Sequence, residues 1–332
     1  MSTSTSEDAF WLGIDLGGTK ILAEVYDDRL KLVGSKRRKT KAELGQKAGL
    51  ERLLKTGGDA LKESGIDPSN LRGVGIGCPG VLNLKSGVLV KAPNLGWTDV
   101  AIQSILHKKF KVPAFAVNDV DAGTFGEFSR GAGKGAATVM GIFPGTGIGG
   151  GLIYDGTIYQ GKQWSCMEIG HLQVQPDGPL CGCGRLGCLE AVAGRLAIST
   201  AASAAVMRGQ APWLRKQAGS DPADIRSGAL ADAIKNGDQV IERIVRQACA
   251  ALGSVLGGMV NLLAPDVMVI GGGLAEAMPD LYLEAVSTAM EPKIMNALQK
   301  TCTLKIAELG DHATALGAAA WARRCMSSLT KT

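Results

Sequence analysis

A chain of 332 residues is long enough for two domains and a sizeable core. Hydrophobic residues make up 45% and charged residues 20%, which excludes a disordered or fibrous chain, and a net charge of +5 gives no argument for nucleic-acid binding. No run of 18 apolar residues is present, and the opening M-S-T-S-T-S-E-D lacks the charged and apolar regions of a signal peptide, so a cytoplasmic protein without a membrane span is expected.

In chain order, residues 1–9 read as a disordered tail. Phe10 to Asp15 is apolar and reads as a buried strand, followed by the glycine turn Leu16-Gly17-Gly18-Thr19-Lys20 and a returning strand from Ile21 to Tyr26. The basic run Lys36, Arg37, Arg38, Lys39, Lys41 reads as a solvated strand end. Leu50, Leu53, Leu54 and Leu61 give helical spacing over 46–64, ending before Gly65. A strand from Leu71 to Ile76 precedes Gly77-Cys78-Pro79-Gly80. A helix from Ala101 to Phe110 and a strand from Val112 to Val117 lead to Asn118-Asp119. The opening pattern then repeats: a strand from Thr138 to Phe143, a glycine turn over 144–150, and a strand to Tyr154. Helices are expected over 191–207, 238–263 and about 314–324, with a strand from Val267 to Ile270 that ends in Gly271-Gly272-Gly273. The repeat suggests two related α/β domains with a cleft between them.

Glycine turns let backbone N–H groups approach an anion unhindered. At the first, Asp15 can hold a hydrated magnesium ion, while Thr19 and Lys20 can donate to phosphate oxygens. A plain hairpin with a surface lysine is the alternative. Gly145-Thr146-Gly147 repeats the feature. No G-x-x-x-x-G-K-[ST] occurs, and the G-x-G-x-x-G matches at 75–80 and 145–150 do not open helices, which argues against a P-loop and a dinucleotide fold.

The stretch from Glu168 to Glu190 carries His171, Cys181, Cys183 and Cys188. One imidazole and three thiolates suit tetrahedral zinc, and the interleaved glycines allow a tight loop. A disulfide would leave one of the three cysteines over.

Glu-x-Gly-His followed by Cys-x-Cys-Gly-x-x-Gly-Cys-x-Glu resembles the hallmark of the ROK family of sugar kinases and repressors. G-I-D-L-G-G-T-K and G-T-G-I-G-G-G are similar to the two phosphate motifs of the actin-like sugar-kinase superfamily, and Gly271-Gly272-Gly273 is similar to its adenosine motif. The resemblance spans about 10 to 324. It implies two ribonuclease-H-like (actin-like ATPase) α/β domains flanking a central cleft, with boundaries expected at 10–118 plus 313–332 for a small domain and 119–312 for a large one carrying the zinc loop. It also implies an ATP- and magnesium-dependent kinase with structural zinc, often a homodimer, acting on a small-molecule sugar.

By the same resemblance Asp119 is the general base for phosphorylation of D-glucose at the 6-hydroxyl. The residues alone leave an Asn-Asp helix cap as an equal alternative. Gly80, Asn94, Asn118, Glu168, His171 and Glu190 are candidate sugar contacts, with His171 both ligating zinc and facing the sugar. Asp15, Gly17, Gly18, Thr19, Lys20, Gly145, Thr146, Gly147 and Gly271–Gly273 would bind ATP. The segment Trp164–Met167 departs from the small residues, often a glycine, that precede the Glu in the family, so it bears on sugar preference. His107 and His312 read as surface or packing residues. Alternatives are a kinase for N-acetylglucosamine, N-acetylmannosamine, mannose or fructose, polyphosphate as donor, or a non-catalytic sugar sensor. A repressor of the family would carry an added helix-turn-helix domain, for which a first core strand near Phe10 is expected to leave no room.

Overall fold

The computed structural model describes residues 9–329, so the expected N-terminal tail lies almost wholly outside the described residues. Contacts divide the chain into two units, residues 1–135 with 151–166 and 311–332, and residues 136–150 with 167–310. The first unit therefore takes in 119–135 and 151–166, segments that the sequence had suggested for the large domain.

The first unit opens with β1 (Phe10–Leu16), β2 (Lys20–Asp27) and β3 (Leu32–Lys39), a meander that continues into α1 (Gly45–Ser64). Then come β4 (Leu71–Cys78), a small antiparallel sheet of β5 (Val81–Asn83), β6 (Val88–Ala92) and β7 (Trp97–Val100), α2 (Ile102–Phe110), β8 (Ala114–Asn118) and α3 (Asp119–Arg130). The main sheet has the order β3-β2-β1-β4-β8, with β1, β4 and β8 parallel. The apolar runs of β1 and β4 are buried on both faces, as parallel strands covered by helices must be.

The second unit holds β9 (Thr138–Pro144) and the start of β10 (Ile148–Tyr154), whose outer end pairs with β11 (Thr157–Ile158) in the first unit. It continues with α4 (Leu189–Ala193), α5 (Arg195–Met207), α6 (Pro212–Ala218), α7 (Ser227–Lys235) and α8 (Gln239–Leu263), then β12 (Val267–Ile270), α9 (Gly272–Ala277), α10 (Pro279–Met290) and β13 (Thr303–Ile306). The order β10-β9-β12-β13, with β9, β12 and β13 parallel, repeats β2-β1-β4-β8. The repeat read from the two glycine turns is thus a repeat of sheet topology. Leu189–Met207 is long and apolar enough, by length and composition alone, to cross a membrane. It is not one helix: the chain extends at Gly194 (φ −69°, ψ 160°), and half the stretch is buried, with both pieces packed on α8.

The last helix, α11 (Ala313–Leu329), belongs to the first unit and packs on α3, β1 and β4. Its residues Ala318, Ala319, Ala320 and Ala322 are small and buried because backbone meets backbone there. A Cβ built on Gly75 would lie 1.8 Å from the Ala318 carbonyl oxygen, and one on Gly13 would lie 1.9 Å from that of Ala315. Gly75→Ala is therefore expected to cost about 3 kcal/mol, since neither backbone can yield, whereas Gly58→Ala in α1, where a Cβ meets open space, is expected to gain about 0.5–1 kcal/mol. Urea unfolding of the two variants checks this; equal effects would contradict the seating of α11.

Candidate active site

Because β1, β4 and β8 are parallel and level (Asp15 beside Gly77, Gly77 beside Val117, Cys78 beside Asn118), their carboxyl ends form one edge. Ligands of open α/β sheets bind outside such an edge. Asn118 ends β8 and its Oδ1 accepts the N–H groups of Val120 (2.9 Å) and Asp121 (3.3 Å), capping α3. The helix-cap alternative thus holds for Asn118, and Asp119 becomes the first helical residue. The Asp119 carboxylate meets Asp15 electrostatically. Burial, and next the charge of Asp119, raise the Asp15 carboxyl from 3.8 to about 7, with Lys20 opposing. The Cys78 thiol is pushed up by burial and then by the same two carboxylates.

The first glycine turn is a tight hairpin. Gly17 N–H donates to the Lys20 carbonyl (2.9 Å), and Thr40 clamps the turn through the carbonyls of Thr19 and Gly17. Asn94 lies over it, since a Cβ on Gly18 would meet the Asn94 side chain at 3.4 Å. Gly80 has φ 87°, and a Cβ there would strike the Lys91 carbonyl oxygen at 2.3 Å, so only glycine fits. The Lys20 ammonium is engaged by Asp311, which also takes Arg37.

Sequence reasoning missed that partner, and it missed the partner of His312, which is exposed as expected. His312 Nδ1 lies 2.7 Å from the fully buried Glu24 carboxylate, which also accepts from Tyr26 (2.5 Å) and Ser35 (3.2 Å). No spacing rule could have joined residues 288 apart. His107 matches its reading, with Nδ1 2.8 Å from the Val112 carbonyl oxygen at the end of α2. The basic run also sits as expected, on β3, with Lys36 paired to Glu63 and Arg38 to Asp59.

In the second unit the ligand atoms of His171, Cys181, Cys183 and Cys188 all lie within 4.8 Å of one another. Cys183 and Cys188 sulfurs are 3.7 Å apart and Cys181 Sγ is 3.6 Å from His171 Nδ1. Tetrahedral zinc with Zn–S near 2.3 Å would set sulfurs about 3.8 Å apart, so the cluster fits that ion and not a disulfide. The cysteines are free. The Arg185 backbone N–H, first among its partners, lowers the Cys183 thiol to about 6, while burial pushes Cys181 up.

Glu190, at the start of α4, ties this loop to the second glycine turn. One oxygen accepts Ile148 N–H (3.1 Å), and the other lies 3.7 Å from Cys181 Sγ. A Cβ on Gly147 would strike the Glu190 carboxylate at 2.0 Å. Thr146 Oγ1 accepts from Arg195 (2.9 Å) and Gly145 N–H donates to Gly147 (2.8 Å). Gly271–Gly273 follow β12 at the same sheet edge: Gly271 faces the Phe143 ring and Gly272, with φ 80°, faces the Pro144 carbonyl. Glu168 is exposed just before the turn that carries His171. Met167, ahead of it, is held at φ 62°, a left-handed conformation that costs a non-glycine residue about 1–2 kcal/mol. Trp164 is exposed, whereas Trp97 is core.

The candidate residues thus form two clusters, one per unit. Asp15, Gly17–Lys20, Gly80, Asn94, Asn118 and Asp119 belong to the first. Gly145–Gly147, Glu168, His171, the cysteines, Glu190 and Gly271–Gly273 belong to the second.

The Asp15 shift has a consequence for stability. The folded protein keeps this proton to about pH 7, while the unfolded chain releases it near 3.8, so folding takes up a proton in between and stability falls as pH rises through that window. In magnesium-free buffer Asp15→Asn is expected to melt above the wild type at pH 8 and to converge with it near pH 4. Parallel melting curves across that range would contradict the raised pKa.

Residues 11–325 match the ROK family. The chain is 31% identical over 309 residues to a glucokinase from Thermotoga maritima, covering 93% of this chain and 95% of that protein. It is 27% identical to a xylose repressor from Caldicellulosiruptor bescii, over 78% of this chain and 64% of that one. A ROK family glucokinase from Streptomyces griseus, solved with glucose and AMPPNP, superposes with a TM-score of 0.82 at 28% identity, covering 95% of this chain and all of that one. The two-domain actin-like ATPase fold is therefore the fold of this chain. A match that runs from Trp11 in β1 into α11 takes in both sheets but for Phe10, and the chain belongs to the ROK family.

Proposed function

We propose that this ROK sugar kinase transfers the terminal phosphoryl group of ATP to the 6-hydroxyl of D-glucose, with Asp119 taking the hydroxyl proton. The observation that carries the reading is the position of Asp119, at the carboxyl end of β8 and facing Asp15. A positioned carboxylate of this kind contributes about 100- to 10,000-fold to such a reaction.

Asp15 and Asp119 offer hard oxygen donors; burial and then the charge of Asp119 raise Asp15, and a bound cation would offset both. Asp15 would hold magnesium through water, and the ion would neutralise charge on the transferred group. Backbone N–H groups of Gly18 and Thr19 in one unit, and of Gly147 in the other, suit phosphate oxygens, while those of Gly17 and Gly145 close their own turns. Lys20 contributes from its pair with Asp311, and Gly271–Gly273 leave room for the nucleoside.

Asn94, Asn118 and Gly80 are the sugar-binding candidates of the first unit. With Oδ1 of Asn118 held in the helix cap, its Nδ2 is the group that donates to a hydroxyl. Glu168, His171 and Glu190 are those of the second; with Nδ1 of His171 toward the cysteines, Nε2 is left for a hydroxyl. His171, Cys181, Cys183 and Cys188 would hold one structural zinc ion that fixes the loop. Cytoplasmic location and a homodimer complete the reading, with α8, whose end exposes Leu262 and Leu263, as the dimer element.

Glucokinase relatives support glucose as acceptor. The repressor relative favours a second reading, a sugar sensor without turnover. ADP release with ATP and magnesium, across hexoses and N-acetylhexosamines, separates them. Turnover highest with glucose is expected, with Asp119→Asn lowering kcat about 100- to 10,000-fold and leaving the melting temperature within a few degrees. Turnover with another sugar would keep the kinase and reassign the acceptor, with Trp164–Met167 the first residues to exchange. No turnover with any sugar would overturn the proposal.

Purified protein is expected to carry one zinc per chain by elemental analysis, and to melt at lower temperature after chelation or with Cys188→Ser. A metal-free protein whose melting is indifferent to chelator would rule the zinc out.

A further inference from the structure

The first unit carries a cavity of about 720 Å³ that none of the roles above uses. Its walls are the turn between β2 and β3, the carboxyl-terminal half of α3 with the loop after it, Gly156, and the last turns of α11. Five cationic side chains line it: Arg29, Arg130, Lys134, Arg323 and Arg324. One carboxylate, Asp28, is also present, and its Oδ1 already accepts from the Trp11 indole at 3.2 Å.

Arg323 and Arg324 are fixed by carbonyls, Arg323 by that of Asp28 and Arg324 by that of Gly156 (3.3 Å). A carbonyl leaves the guanidinium charge unneutralised. Arg29, Arg130 and Lys134 form no ion pair among the described residues, and all three are exposed at the cavity. By contrast, Lys36, Arg37 and Arg38 on the same unit each face a carboxylate. Cations gathered around one concavity repel one another, and an anion bound among them relieves that repulsion.

The wall between the cations is apolar. Phe125 and Phe128 line it, their ring centroids 5.6 Å apart, and Trp321 stands edge-on to Phe125 at 5.3 Å. A lone inorganic anion would have no use for that wall or for a space of this size. A compact organic ring carrying a phosphate would use both, with guanidinium groups forking onto the phosphate oxygens.

We infer that this cavity binds a phosphate monoester of a small ring compound, a sugar phosphate or a nucleoside monophosphate, at a place separate from Asp119. The separation follows from α3 itself. Asp119 opens the helix and Arg130 ends it, so the two lie about 17 Å apart along its axis. The inference does not rest on the choice of glucose, nor on catalysis.

Isothermal titration decides it, on the protein alone and again with saturating glucose and AMPPNP, which would occupy the catalytic residues. The titrants are glucose 6-phosphate, AMP and inorganic phosphate. One equivalent of an ester is expected to bind in both states, and Arg130→Gln with Lys134→Gln is expected to weaken it at least about tenfold without lowering the melting temperature. Arg29→Gln, in an exposed turn, supplies a second variant should the first fold poorly. Glucose 6-phosphate binding alone assigns a sugar phosphate, and AMP binding alone a nucleotide. Absence of ester binding, binding unchanged in the variants, or inorganic phosphate binding as tightly as either ester would overturn the inference. If the protein takes neither glucose nor AMPPNP, the kinase reading fails, and the titration of the unliganded protein still decides this one.

Discussion

Everything at the first unit's sheet edge depends on one steric constraint, the contact of α11 backbone with backbone. Gly13 and Gly75 on adjacent strands, Gly126 on α3 and Gly317 on α11 itself each lie where a Cβ would stand 2.2 Å or less from a carbonyl oxygen. Such contacts admit no side chain and almost no sliding, so they fix the helix by exclusion as much as by attraction. The helix starts at Ala313 and is led in by Asp311 and His312, which reach Lys20 and Glu24. The third residue from the start, Ala315, sits on β1, and Thr314 Oγ1 comes 3.4 Å from the Asp119 carbonyl. A segment some 200–300 residues downstream in sequence thereby completes the surroundings of both aspartates.

That rigidity carries an electrostatic load. Asp15 is held where burial and Asp119 both oppose its ionisation, and the opposing Lys20 is partly neutralised by Asp311. Two acids forced together in a packed edge reduce stability near neutral pH and favour a cation, the usual compromise between stability and a working site. The second unit shows the same compromise in its backbone. Met167 sits in the left-handed region just before Glu168, where glycine would sit without strain, and Gly150 and Gly170 are packed too closely against the neighbouring backbone to yield. A metal-sized cluster of one histidine and three cysteines nearby is joined through Glu190 to the Gly145–Gly147 turn, and an ion held there would supply the stiffness that such a loop needs.

Much of this was legible in the sequence, for physical reasons that can be named. The two strand–glycine turn–strand repeats stood out because buried parallel strands are continuously apolar and bounded by glycine. The Cys-rich loop stood out because its ligand spacing has few other uses. What stayed hidden depended on partners far away in sequence. The small strands β5–β7 are too short for periodicity, and α3 begins with Asp-Val-Asp-Ala-Gly, which carries no apolar stripe until it meets α11. The last helix was legible, but the close fit of its alanines was not, because their packing partner is glycine backbone on distant strands. The pairing of Lys20 with Asp311 and of His312 with Glu24 turned a presumed free phosphate ligand and a presumed bystander into parts of one polar network.

The most direct test of the account is a crystal structure of Asp119→Asn with glucose and AMPPNP. The account predicts the residue 119 side chain within about 3.2 Å of the glucose 6-hydroxyl, with the terminal phosphoryl group in line beyond it. Another carboxylate holding that hydroxyl, or a sugar bound with its 6-hydroxyl turned away from residue 119, would contradict the assignment of Asp119 as the base.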